Sequence, residues 1–165
     1  MINSLWERAA LNPADLTANE IQLLINDRLA TVTDNLATVS PHTQNETIFD
    51  LIMLFFDSLN EKRQTILKLW DNIDFNQKLI CQSQAQLITA IDCWHKELNL
   101  HWQIGGYLQN LLFLVALSYT ATIWKTDTSA DSSKVMAKVD EIIGWLNSSK
   151  SAPFDFLQKL KNIIV

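Results

Sequence analysis

The stretch IGGYLQNLLFLVALSYTATIW, residues 104–124, decides the fold because it is long, apolar and free of charged side chains. Its length suits a membrane span, which needs about 20 predominantly apolar residues. Its content does not, because Gln109 and Asn110 stand side by side near its start and Gly, Ser and Thr dilute the rest. No cluster of Lys or Arg flanks it, as would be expected beside a span. We therefore predict a helix covered by its own core on one side and by a second chain on the other.

The composition of the chain predicts an all-α protein. Its 165 residues are 48% hydrophobic and include only three Gly and three Pro, the residues that punctuate strands and turns. This length usually gives one domain with a sizeable core. The net charge of −5 disfavours general binding to nucleic acid or anionic membranes. Through residue 60 the only basic side chains are Arg8 and Arg28, too few to meet DNA phosphates.

The N-terminus and the cysteines predict a cytoplasmic protein. Residues 1–16, MINSLWERAALNPADL, lack the basic start and apolar run of a signal peptide. Cys81 and Cys93 lie in one predicted helix, separated by about 18 Å of helical rise. This separation rules out a disulfide within the helix, since the two Cα atoms must lie within about 7 Å. We interpret them as small core thiols in a reducing compartment.

Caps and periodicity divide the chain into helices. Thr17 and Glu20 form a capping box at the start of a helix that is expected to stop before Ser40 and Pro41. The other predicted helices cover residues 44–59, 61–72, 75–98, 104–124 and 129–146, followed by a short tail helix from Pro153. We assign 1–16 as a short N-terminal segment, 17–147 as a helical domain and 148–165 as a linker and amphipathic tail.

The last two helices of the domain are predicted to form a four-helix interface in a symmetric homodimer. Residues 104–124 carry one apolar stripe at Leu108, Leu111, Leu112, Val115 and Tyr119, and a second stripe beside it. A helix that is apolar on nearly all sides must be covered on nearly all sides, which a chain this small achieves with a second copy. The candidate interface residues are Leu114, Leu117, Ala121, Trp124, Val135, Val139, Ile142 and Leu146.

Two segments resemble the ligand-binding domain of tetracycline-repressor (TetR) family regulators. Residues 46–70, ETIFDLIMLFFDSLNEKRQTILKLW, resemble a family run that ends one helix before a short basic helix. Residues 123–146, IWKTDTSADSSKVMAKVDEIIGWL, resemble the family's closing segment, in which W-x-x-D-x-S precedes a final helix with M-A-x-x-D. The matching residues are Trp124, Asp127, Ser129, Met136, Ala137 and Asp140. The resemblance implies a helical bundle with a four-helix dimer interface and a regulatory or ligand-sensing function.

The chain departs from the family at its N-terminus. Regulators of that family carry an N-terminal helix-turn-helix, and nothing in residues 1–16 or beyond resembles one. Two explanations stay open: a regulator fold without its DNA reader, or a reader encoded upstream of Met1. We expect no DNA binding from the chain as given.

In the resembled family, effectors sit between the central helices, which implies a pocket for a small hydrophobic ligand. The residues of this chain that fall in the matching region and suit such a ligand are aromatic: Phe55, Phe56, Trp70, Trp94 and Trp102. An aromatic set at helical spacing is also typical of a solid core, so both interpretations stay open.

A second relative of that fold offers an alternative function. The lipid-binding proteins of ubiquinone biosynthesis resemble TetR-family members and use a C-terminal amphipathic helix on membranes. The tail of this chain, PFDFLQKLKNIIV, can align four apolar residues on one face: Phe154, Leu157, Leu160 and Ile164. The alternative is therefore a lipid-binding accessory protein at a membrane surface; a tail that packs on its own domain or on a partner would give the same pattern.

The sequence does not predict an enzyme, a metal site or a cofactor. His95 and His101 lie six residues apart in WHKELNLHW, whereas ligands on one helix face need spacing of three or four. No Gly-rich phosphate loop or nucleophile motif stands out.

Overall fold

The computed structural model describes residues 1–39, 43–72, 77–100, 106–129 and 132–148, excepting the side chains within 77–81 and 145–148. These ranges are all-helical and contain no strand, which confirms the predicted all-α class. The α-helices are α1 (Ile2–Leu11), α2 (Ala18–Asp34), α3 (Gln44–Asn60), α4 (Arg63–Asn72), α5 (Gln77–Glu97), α6 (Gly106–Thr126) and α7 (Ser133–Ser148). Short 3₁₀ turns, Pro13–Asp15 and Leu36–Thr38, follow α1 and α2.

Capping boxes fix the starts of α2 and α3. The Thr17 hydroxyl accepts from the backbone N–H of Glu20, and the Glu20 carboxylate accepts from the backbone N–H of Thr17, as the sequence predicts. Thr43 and Glu46 form the same arrangement at the start of α3. Each box supplies acceptors for backbone donors that the first helical turn leaves unpaired.

Helix α3 is the centre of the bundle and packs against α2, α4, α6 and α7. Its side chains Ile48, Leu51, Ile52 and Phe56 are almost completely buried. They belong to a main core that also takes side chains from α2, α5, α6 and α7. Each CH₂ group buried in this core contributes about 0.8 kcal/mol of stabilising free energy, so the core is the main source of stability.

Helix α1 was not predicted from the sequence. It packs on α2 and α4 through a second core made by Leu5, Trp6, Ala9, Leu24 and Leu69. The Trp6 indole donates to Asp27 at 2.8 Å, so the N-terminal segment is held by a polar contact as well.

Helix α6 is long and apolar enough to cross a membrane by length and composition, yet core helices of water-soluble proteins pass the same test. Its buried face carries Gln109 and Asn110, and both amides hydrogen-bond within the bundle. Cys93, predicted as a core thiol, is exposed instead, because it lies on the side of α5 away from the buried Ile91, Trp94 and His95.

Candidate functional site

Three of the predicted pocket residues come together in the main core. The Phe55 and Phe56 rings meet edge to face with centroids 5.2 Å apart, and Trp94 lies 6.3 Å from Phe55. The Trp94 indole is completely buried and donates to the Thr33 hydroxyl at 2.9 Å. Because these rings pack on one another, a ligand would enter between them only if they moved apart.

The other two pocket residues do not join this cluster. Trp70 lies on α4 and is 37% exposed, with the Lys125 ammonium 5.4 Å from its ring centroid. It lies on the surface because it follows the buried Leu69 and points away from the second core. Trp102 lies outside the described residues.

The predicted interface residues mostly face inwards. Five of them are nearly or completely buried within one chain: Leu117, Trp124, Val135, Val139 and Ile142. Leu114 and Ala121 are partly buried against the same core, and the Leu146 side chain is not described. The physical reason is that α3 and α5 cover this side of α6, while α3 and α6 cover this side of α7. A second chain therefore cannot reach these five side chains.

The outward side of α6 carries part of the other predicted stripe, whose member Leu112 is buried instead. Tyr107 and Leu108 are exposed, and Leu111 and Val115 are only partly buried. Ser118 and Thr122 continue this side toward the end of the helix. On α7, Met136 is 40% exposed, and Ala137 and Gly144 are exposed as well. We call this surface of α6 and α7 the outer face.

A polar cluster joins α5 to the first turns of α6. The Asn110 amide nitrogen donates to Asp92 at 3.1 Å, and the Asn110 oxygen lies 2.9 Å from His95 Nδ1. The Gln109 amide nitrogen lies 3.1 Å from the same ring nitrogen, so His95 Nδ1 faces both an acceptor and a donor. Gln109 donates to the carbonyl of Leu100 at 3.0 Å. Burial lowers the pKa of His95, although the hydrogen bond to Asn110 and the charge of Asp92 act in the opposite direction.

A corner built by α3, α4 and the end of α6 brings the two segments that resemble the TetR family into contact. The Trp124 indole donates to Asn60 Oδ1 at 2.7 Å. The Arg63 guanidinium lies 4.4 Å from the Trp124 ring centroid. One of its terminal nitrogens donates to the backbone carbonyls of Trp124 at 2.5 Å and Asp127 at 2.6 Å. We call Asn60, Arg63, Trp124 and Asp127 the corner residues.

Asp127 fixes the connection between α6 and α7. Its carboxylate accepts from the backbone N–H and hydroxyl of Ser129, at 2.9 and 2.5 Å, and from the backbone N–H of Val135 at 3.2 Å. Burial raises the pKa of Asp127, but the hydrogen bonds from Ser129 and Val135 outweigh it and hold the pKa below its ordinary value. The carboxylate therefore stays ionised and stabilises the first turn of α7.

An open cleft of about 480 Å³ lies beside the corner, between α4 and the α6–α7 connection. Its lining is mostly polar and consists of Asn60, Arg63, Gln64, Leu67, Lys125, Asp127, Thr128, Ser129 and Ser132. These residues could not be grouped from their residue types, because Arg63 binds backbone carbonyls, which any residue type supplies.

Comparison with known proteins adds no relative: no family model, no curated protein and no solved structure matches this chain.

Proposed function

We propose that this chain is a TetR-like regulatory or ligand-sensing domain that acts as a homodimer and does not read DNA through its own N-terminal region. The observation that carries the proposal is the set of contacts among the corner residues. The two segments that resemble the family are more than fifty residues apart in sequence. Two of the matched residues, Trp124 and Asp127, contact Asn60 and Arg63 of the other segment directly. A shared packing arrangement would place matched positions against each other in this way.

The outer face supports the homodimer. Leu108 and Met136 are 37% and 40% exposed, and Tyr107 is 70% exposed. Accessible apolar side chains on two helices that pack together are characteristic of a surface that meets another chain. Ala137 and Gly144 are small enough to let a second backbone come close. In a two-fold pairing, the outer face of one copy would pack against the outer face of the other.

The ion pairs of the few basic side chains in the N-terminal region support the proposal that this region does not bind DNA. Arg8 pairs with Glu20 at 2.7 Å. Arg28 is buried and pairs with Asp27 and Glu61 at 2.5 and 2.7 Å. Arg28 is therefore committed to carboxylates of the same chain, so of the two arginines in the first 60 residues only the exposed Arg8 can meet a phosphate, too few for a DNA-reading surface.

Sedimentation equilibrium tests the dimer. We expect the unmodified protein to sediment as a dimer at tens of micromolar and the Leu108→Asp variant to sediment as a monomer, because a charge in the apolar contact has no partner. Leu23→Asp is the matched control, since Leu23 is similarly exposed, at 46%, but lies on α2. The control should remain dimeric. A monomeric unmodified protein, at unchanged helix content by circular dichroism, would refute the proposed assembly.

Two further assays separate the proposal from its alternatives. A gel shift with the purified chain should show no salt-sensitive, sequence-specific complex with duplex DNA, and such a complex would overturn the DNA part of the proposal. Liposome flotation should show no binding that depends on residues 153–165, which lie outside the described residues. Flotation that is lost when this tail is removed would favour the lipid-binding alternative.

A further inference from the structure

We propose that the cleft between α4 and the α6–α7 connection binds a small molecule through an oxyanion, a carboxylate or a phosphate group. The cleft of about 480 Å³ falls within the size range of sites for small ligands, about 300–1,000 Å³. Its described lining combines two cationic side chains, Arg63 and Lys125, and one carboxylate, Asp127, with amide and hydroxyl groups. This chemistry suits an anionic group better than the hydrophobic ligand that the aromatic residues suggested.

Arg63 is held in place with donors to spare. One terminal nitrogen donates to the carbonyls of Trp124 and Asp127, and the other makes a long contact of 3.4 Å with Asn60. Stacking on the Trp124 ring fixes the plane of the guanidinium. Within the part of the chain that the structure describes, nothing accepts a hydrogen bond from its Nε–H. A fixed guanidinium with donors left over is well suited to a carboxylate or phosphate oxygen.

Lys125 supplies a second, adjustable cation. Its ammonium pairs with Asp71 at 2.6 Å, and the Asp71 side chain is 60% exposed. An ion pair this exposed contributes little free energy, so an incoming anion can compete for the ammonium. Asp127 is the carboxylate among the described lining residues, and its oxygens already accept from Ser129 and Val135. The charged hydrogen-bond donors that the described lining offers to a ligand are therefore those of Arg63 and Lys125.

Neutral donors complete the lining. The Gln64 amide and the hydroxyls of Thr128 and Ser132 line the cleft and make no hydrogen bond to any described residue. They can reach a ligand without first giving up a partner within the described chain. A ligand held by Arg63, Lys125 and these groups would bridge α4 and the α6–α7 connection. That such binding acts as a signal rests on the proposed function; the binding itself rests on the cleft.

Two-dimensional ¹H–¹⁵N NMR of the full chain tests the site. The indole N–H signals of Trp124 and Trp70 are local reporters, because Arg63 and Lys125 lie over these two rings. Titration with inorganic phosphate, and separately with citrate, is carried out at constant ionic strength set by NaCl. We expect saturable shifts of one or both signals with at least one of the two probes, and the probe that binds more tightly identifies the preferred oxyanion.

Three variants make the test specific. Lys125→Gln should weaken binding about tenfold, the loss that one charge-assisted hydrogen bond produces. Lys62→Gln removes the same charge from a neighbouring residue that does not line the cleft, and it should leave the affinity unchanged. Arg63→Lys keeps the charge but loses the planar fork, and it should also weaken binding. Absence of saturable shifts with both probes, or equal weakening by Lys62→Gln and Lys125→Gln, would overturn this proposal. Neither result would alter the sedimentation test of the homodimer.

Discussion

Replacing Asp127 with Ala is expected to lower the free energy of unfolding by about 3 kcal/mol. The side chain is 3% exposed and accepts three hydrogen bonds, from two groups of Ser129 and from the backbone N–H of Val135. Without the carboxylate, the N–H of the completely buried Val135 loses its acceptor, which costs about 1–3 kcal/mol. Loss of the two hydrogen bonds from Ser129, which hold the α6–α7 connection, adds about 0.5–1.5 kcal/mol each.

Urea unfolding followed by circular dichroism at neutral pH measures this loss. Asp140→Ala is the matched control, because Asp140 lies on the same helix and in the same resembled motif but is exposed. The control should change the free energy of unfolding by no more than about 0.5 kcal/mol. If both variants lose the same small amount, Asp127 does not hold the α6–α7 connection and the reasoning about the corner is refuted.

The stability difference between the unmodified protein and Asp127→Ala should also depend on pH. Because the pKa of Asp127 is lowered in the folded chain, its carboxylate contributes stability above the unfolded pKa of about 3.9. This contribution is lost as the pH falls through the folded pKa. The stability difference between the unmodified protein and Asp127→Ala should therefore narrow below about pH 4.

Two other perturbations test the interior of the bundle. Burial lowers the pKa of His95 in the folded chain, so the unfolded chain binds the proton more readily. The free energy of unfolding should therefore fall as the pH drops below about 6.5. The midpoint of thermal unfolding should drop less over the same pH range in His95→Gln. Leu117→Ala should cost about 3 kcal/mol in urea unfolding, whereas Leu23→Ala on α2 should cost less than about 1 kcal/mol, because Leu117 is 1% exposed and Leu23 is 46% exposed. The reverse order would mean that Leu117 does not face the core.

Local signals predicted the helices well. The Thr17–Glu20 box and the apolar spacing of α3 act between neighbouring residues, so they can be recognised without knowing the fold. Helix α1 lacked such a signal, because its N-cap is Met1 and makes no side-chain cap. Its stability comes from Trp6 and Leu5, which pack on helices that follow later in the chain.

The orientation of α6 could not be predicted from its own sequence. Its two apolar stripes, one containing Leu111 and Val115 and the other containing Leu117 and Trp124, are similarly hydrophobic. Which stripe is buried depends on where α3 and α5 lie, and that information is not local. One signal was available: Gln109 and Asn110 lie on the buried side and need polar partners there, which His95 and the Leu100 carbonyl supply.

The contacts among the corner residues could not be predicted from the sequence for a similar reason. Residues 123–146 resemble a family's closing segment in their own pattern, but the partners of Arg63 are backbone carbonyls, which no pattern of side chains marks. Trp70 shows that an aromatic residue in the matching region need not line a pocket, since its ring lies on the surface beside the Lys125 ammonium.

Cysteine crosslinking across the outer face tests the central claim most directly. Single cysteines are placed at Leu111, Val115, Ser118 and Thr122 in a chain whose Cys81 and Cys93 are replaced by Ser. A disulfide between two copies forms only where the two Cα atoms come within about 7 Å, so a two-fold contact should crosslink the positions nearest its axis and spare the others. Leu23→Cys, an exposed position on α2, is the control for random collisions. Rapid crosslinking at one or more positions on α6, and none at Leu23, is the predicted result; crosslinking at Leu23 that equals or exceeds that on α6 would contradict the homodimer proposed here.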